Sequence, residues 1–177
     1  LSGGTVTVAQ AAKLAPYFAS DYAWTLSDTG TNLTSPAALA LMEDFSALTV
    51  TPTDALTLAQ AVTLQGLEDD GDITLTAYDI TDSAANFIAN IEVTETDALG
   101  NNEAQTAAAD NVETIVEAAI TAGNTVTATG TFTSDQLVAL NTNIDGHNII
   151  TSALFVYNLA DTAAKVSADA IGETSNA

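Results

Sequence analysis

The sequence has no cysteine, three prolines, one histidine and only two basic residues, Lys13 and Lys165. Each scarcity closes a class of function. Without thiols there is no disulfide framework, no cysteine nucleophile and no thiolate metal site. The two cations stand against 23 acidic residues, giving a net charge of −21. Such a surface repels nucleic-acid phosphates and anionic lipid headgroups. Glycine loops that cradle phosphate are missing, and so are the cations that would hold it. No apolar run approaches the ~18 residues of a membrane-spanning helix. The single His147 sits in Ile144-Asp145-Gly146-His147-Asn148, a polar turn. Without a Gly-x-Ser-x-Gly elbow it does not make a hydrolase triad, and without thiols it does not make a zinc site.

What is present supports folding. The hydrophobic fraction is 47%, too high for a disordered chain. Much of it is Ala and Val, and aromatics are only 6%, so small side chains build the core. The length of 177 residues suffices for one domain with its own core. Self-repulsion among the acids calls for screening by salt or calcium. An acidic surface also keeps a protein soluble. The opening Leu1-Ser2-Gly3-Gly4 lacks an initiator Met and reads as part of a longer precursor.

An internal repeat organises the chain. Thr7-Val8-Ala9-Gln10, Thr57-Leu58-Ala59-Gln60 and Thr133-Ser134-Asp135-Gln136 each fit a capping box. In that motif the Thr hydroxyl and the Gln side chain satisfy each other's backbone N–H. Apolar helical stretches follow, at Ala11 to Phe18, Ala61 to Leu67 and Leu137 to Leu140. A second signal comes later in each unit. It reads Leu26-Ser27-Asp28-Thr29-Gly30-Thr31-Asn32-Leu33, then Ile80-Thr81-Asp82-Ser83-Ala84-Ala85-Asn86-Phe87, then Leu159-Ala160-Asp161-Thr162-Ala163-Ala164-Lys165-Val166. Asp is a good helix cap, so each Asp is expected to open a helix.

Alternating stretches around Tyr22, Trp24 and Leu26, around Ile73, Leu75 and Ala77, and the apolar Ala153 to Tyr157 read as strands. Leu48 to Thr51, Ile91 to Thr94 and Val126 to Phe132 are further strand candidates. Ser35-Pro36 reads as a cap and first helical position. Glu103 to Ala122 carries apolar residues at helical spacing and is stopped by Gly123-Asn124. The expected fold class is α/β: degenerate strand–helix repeats forming a solenoid-like sheet with short packed helices, its strands parallel. One domain is expected, with units at about 5–46, 47–94 and 125–170 and an inserted helix at about 103–122.

Asp28-Thr29-Gly30 matches the aspartic-protease signature, which needs two carboxylates sharing a proton. The counterparts Asp82-Ser83-Ala84 and Asp161-Thr162-Ala163 lack the glycine, and Ser27 interrupts the apolar pair before Asp28. A structural cap accounts for all three copies; a protease site does not. Carboxylate pairs of glycosidase type arise by chance among so many acids and carry no specificity. The best ligand expectation is calcium at Glu68, Asp69, Asp70 and Asp72, four carboxylates around Gly71, because calcium takes several oxygen ligands from flexible loops. The spacing is neither an EF-hand nor a nonapeptide array. Asn143, Asp145 and Asn148 form a weaker candidate. Asn32-Leu33-Thr34 matches a glycosylation sequon, a match that a chain rich in Asn and Thr readily produces by chance.

The Thr-Val-Ala-Gln-Ala and Thr-Leu-Ala-Gln-Ala elements at Thr7 to Ala11 and Thr57 to Ala61, with the Asp-Ser-Ala-Ala-Asn element at Asp82 to Asn86, resemble repeats of large bacterial secreted surface proteins, S-layer-like proteins and RTX-type adhesins among them. The resemblance covers most of the chain outside about residues 95–122. It implies secretion to the cell surface, calcium-rich surroundings and a role in adhesion or assembly. The inserted helix and the uneven unit lengths depart from a regular array. The functional expectation is a non-catalytic extracellular structural protein, a cation-stabilised subunit of a self-assembling surface layer or filament. Its partners would be copies of itself or neighbouring repeats. The alternative is an adhesin module binding a carbohydrate or protein, with Tyr17, Tyr22 and Trp24 as the aromatic faces to test.

Overall fold

The computed structural model describes residues 4–18, 22–45, 48–91, 107–143 and 152–162. The protein is α/β, with two small sheets and seven α-helices among the described residues. It divides into two compact units, Leu1–Ile80 and Thr81–Ala177. The division falls inside the second of the three units expected from the repeat.

The first unit carries a four-stranded sheet whose spatial order follows the chain: β1 (Thr5–Val6), β2 (Trp24–Asp28), β3 (Leu48–Pro52) and β4 (Ile73–Leu75). All three pairings are parallel, as expected from strands joined through helices. The crossovers are α1 (Val8–Leu14) with a 3-10 turn at Ala15–Tyr17, α2 (Gly30–Leu33) with α3 (Pro36–Asp44), and α4 (Leu58–Asp69). The register aligns Thr5, Thr25, Thr49 and Thr74 in one row. Trp24, Leu48 and Ile73 form a neighbouring row, and Val6, Leu26, Val50 and Leu75 another. Successive residues of a strand face opposite ways. Accordingly Trp24, Leu26, Leu48, Val50 and Ile73 are buried, while the threonine row is half-buried at its centre and exposed at its margins. The helices bury Val8 and Ala11, Leu33, Ala38 and Met42, and Leu58, Ala61 and Leu64. The alanines among these let a helix approach its neighbours closely.

Helix α4 ends in a Schellman motif. The Gly71 N–H donates to the Glu68 carbonyl and the Asp72 N–H to that of Leu67, with Gly71 at φ 85°. This left-handed conformation is what the glycine supplies.

The second unit has strand order β5-β6-β7, with β5 at Ile80–Ser83, β6 at Val126–Thr129 and β7 at Phe155–Val156. β6 and β7 pair in parallel. Its helices are α5 (Ala84–Ile91), α6 (Ala107–Thr121) and α7 (Ser134–Asn143). Phe87, Ile115, Val116, Val126, Phe132, Leu137 and Phe155 fill the core, with Phe87 edge-on to Phe155 at 5.7 Å between ring centroids. Helix α6 lies within the expected inserted helix and ends at Gly123 with the same pair of reversed hydrogen bonds as α4.

Two strand expectations need correction. Ile91 closes α5 and is not strand; residues 92–94 lie outside the described residues. The strand expected over Val126 to Phe132 stops at Thr129, because Gly130 adopts φ 92° and turns the chain. Phe132 then makes an isolated parallel bridge to Leu159.

Candidate functional site

The recurring motifs form joints between helix starts and strand ends. In α1 the Thr7 N–H donates to Gln10 Oε1 at 2.9 Å, and the Gln10 N–H donates to Thr7 Oγ1 at 3.3 Å. The same two bonds recur at the same lengths for Thr57 with Gln60 and for Thr133 with Gln136. All three capping boxes are therefore built as expected.

Asp28 and Asp82 lie in strands and leave the capping of the following helix to the next residue, while the helix expected after Asp161 lies outside the described residues. Asp28 ends β2, and the helix cap is the next residue, Thr29, whose hydroxyl accepts the Asn32 N–H. Asp28 Oδ1 accepts the Thr29 N–H at 2.9 Å and the Asn32 side-chain amide at 2.7 Å. Its Oδ2 reaches back 20 residues to the Val8 N–H, at 3.1 Å. Val8 is the first residue of α1, so the carboxylate satisfies a donor that the helix cannot satisfy itself, at the positive end of the helix dipole. Asp161 repeats this. Its Oδ1 accepts the Thr162 N–H at 2.7 Å, and its Oδ2 accepts the N–H and hydroxyl of Ser134, the first residue of α7, at 3.1 and 2.7 Å. Asp82 accepts the Ser83 N–H and the Asn86 side-chain amide, and Ser83 Oγ accepts the Asn86 N–H. At Asp28 and Asp161 the Thr-x-x-Gln and Asp signals thus belong to one joint, where sequence reading assigned them to two separate helix starts.

Electrostatics follow from this bonding. The Asn32 side-chain bond, followed by the Thr29 and Val8 N–H groups, holds the Asp28 carboxyl below its ordinary 3.8, against an opposing push from partial burial. A carboxylate held ionised by three donors is the reverse of one that shares a proton. Gly30, which gave the protease-like triplet its glycine, has a packing role. A Cβ there would sit 2.6 Å from Leu56 Cδ2 and 2.8 Å from Gln60 Oε1. Its N–H donates to Asp54 Oδ1 at 2.7 Å.

The four carboxylates expected to hold calcium divide among different tasks. Glu68 Oε1 accepts the Leu75 N–H at 2.9 Å, and its Oε2 accepts from Gln65 Nε2. Asp69 accepts from the same Gln65 amide. Asp70 is the C-cap of α4, and Asp72 closes the Schellman turn through its N–H. Among the described residues, no group of three or more His, Asp or Glu side chains is placed to hold a metal ion. The nearby Tyr78 hydroxyl pairs with Gln65 Oε1 at 3.4 Å. Burial first, then the charges of Glu68 and Asp69, push its pKa up to about 12. Residues 144–150, which include His147, Asp145 and Asn148, lie outside the described residues, as does the side chain of Asn143.

The three aromatics named for a sugar platform differ in exposure. Trp24 is 4% exposed, enclosed by Phe18, Tyr22 and Phe45 at centroid distances of 5.5, 6.1 and 5.1 Å. It is a core residue, and its indole N–H has no hydrogen-bond partner among the described residues. Tyr22 is half-buried, and Tyr17 is 81% exposed.

Sequence reasoning missed Asp54, and it missed the bonds of Asn32 and Asn86 to the aspartates. The recurrence of Asn four residues after Asp28 and Asp82 was the available signal. No protein-family model, curated protein or solved structure matches the chain. No helix among the described residues is long and apolar enough to cross a membrane.

Proposed function

We propose that this protein is a non-catalytic extracellular structural protein, a cation-stabilised subunit of a self-assembling surface layer or filament. The observation that carries the reading is the use of the repeated polar residues. Asp28 and Asp161 spend both carboxylate oxygens on hydrogen bonds that tie a strand end to a helix start. A group committed in this way serves the scaffold, which supports a structural role. Small repeating units bury too little surface alone and gain by stacking on neighbours, which favours end-to-end assembly. Head-to-tail contacts of that kind propagate where a two-fold contact would close. With a net charge of −21, copies approach each other only when cations screen them, and calcium suits carboxylate oxygens.

Electron microscopy and sedimentation of the purified protein, with and without millimolar calcium, test this. Ordered filaments or sheets that dissolve on chelation are expected. A monomer indifferent to calcium that binds glycans would overturn the reading in favour of the adhesin alternative.

A further inference from the structure

Two regions of the first unit expose groups of opposite charge: Lys13 in α1, and Asp69 and Asp70 at the end of α4. Among the described residues Lys13 is the only basic side chain, and it is exposed in the last turn of α1. Beside it the chain exposes Leu14, at 38%, Pro16 and Tyr17, at 81%. A cation next to an exposed aliphatic and an exposed aromatic side chain is unusual on a surface otherwise dominated by acids. It has the makeup of an anchor: tyrosine and aliphatic groups supply area, and the charge supplies direction.

Helix α1 packs on β2 and α3, toward the β1 side of the sheet, while α4 packs on β4 at the opposite side. At the C-terminus of α4, Asp69 and Asp70 are exposed around Gly71. The negative end of the helix dipole reinforces their charge. The first unit thus exposes a cation beside apolar side chains in α1 and a pair of carboxylates at the end of α4.

We infer that Lys13, Leu14 and Tyr17 form a docking surface for a second copy of this chain, and that they receive the acidic turn Asp69–Asp72 at the end of its α4. This inference rests on the self-assembly proposed above and names the contact that makes it. The contact joins different surfaces of the two copies, so it is head-to-tail and leaves on each copy one surface open for another.

The test uses the full chain at constant ionic strength and calcium, with association followed by sedimentation and folding by circular dichroism. Lys13→Glu and Tyr17→Ser, both at exposed positions, are each expected to weaken association at least tenfold while the fold is retained. Asp69→Lys with Asp70→Lys is expected to do the same. Joining that pair to Lys13→Glu reverses the charges of both surfaces and is expected to restore assembly. If the wild type assembles and Lys13→Glu assembles equally well, or if the charge reversal fails to rescue, the docking surface is wrong while the assembly reading survives. If the wild type stays monomeric at all calcium and salt concentrations, both fall.

Discussion

The two compact units use one joint with different parts. In the first, Asp28 receives the backbone N–H of Val8 and of Thr29, and its remaining bond comes from the side chain of Asn32. In the second, Asp161 receives the backbone N–H of Ser134 and Thr162 and, among the described residues, also the Ser134 hydroxyl, which is fully buried. The helix that precedes the Asp supplies a side-chain donor in the second unit, from Ser134, where the first has Val8, which has none to give. The cores differ as well. The first unit is filled by aliphatic side chains around a Trp24 cluster, the second by Phe87, Phe132 and Phe155. The constant element is the carboxylate bound to backbone donors. Side chains around it have drifted because several chemistries can supply one hydrogen bond.

The comparison can be broken most forcefully in the core. Phe132→Ala in the second unit is expected to cost about 3–5 kcal/mol and Leu26→Ala in the first about 2–5 kcal/mol, since both residues are fully buried. Denaturant melts followed by probes in each unit would show which one each change unfolds. Next comes the close approach at Gly30. Gly30→Ala forces a Cβ against Leu56 and Gln60 and is expected to cost about 1–3 kcal/mol. At the corresponding position of the second unit, Ala84→Gly should cost only about 1 kcal/mol, through backbone entropy. Equal effects at the two sites would refute the packing account of Gly30.

The joint itself is expected to contribute about 1–3 kcal/mol, so Asp28→Ala should lower stability by that amount in urea titrations near pH 7. Its pH dependence has a definite sign. Because the folded carboxyl titrates below 3.8, its contribution is complete above that value and is lost as pH falls through the lower folded pKa. Asp28→Asn should therefore flatten the acid limb of the stability curve. Thr7→Ala and Thr133→Ala should each cost about 1 kcal/mol, and equally, because their capping boxes share the same geometry. The smallest effect is spectroscopic. Ultraviolet titration should find one phenol ionising near pH 12, that of Tyr78, and Glu68→Gln should bring it down.

The sequence disclosed the three capping boxes, the Ser35-Pro36 helix start and the parallel α/β class, because those depend on residues within one turn or on period-two alternation. It hid what spans distance. The Asp28 to Val8 bond links residues 20 apart, and nothing local distinguishes a carboxylate that caps its own helix from one that serves an earlier helix. The acidic run at Glu68 reads as a cation site from its charges, and the hydrogen bonds its side chains make within the fold are not legible there. The fold placed Gly71 in a helix-ending turn and sent Glu68 to the Leu75 backbone. Trp24 alternated correctly as a strand residue, yet its enclosure by Phe18 and Phe45 depends on elements that its neighbours in sequence do not reveal.

The threonine row across β1 to β4 has a consequence for how the chain avoids error. Look-alike strands in one polypeptide invite mispairing. A slip of a single residue would drive Thr25 and Thr49 into the interior and expel Trp24, Leu26, Leu48 and Val50 into water. Hydroxyl-bearing, β-branched side chains at every second position thus act as a proofreading comb. They accept one alignment and penalise its neighbours.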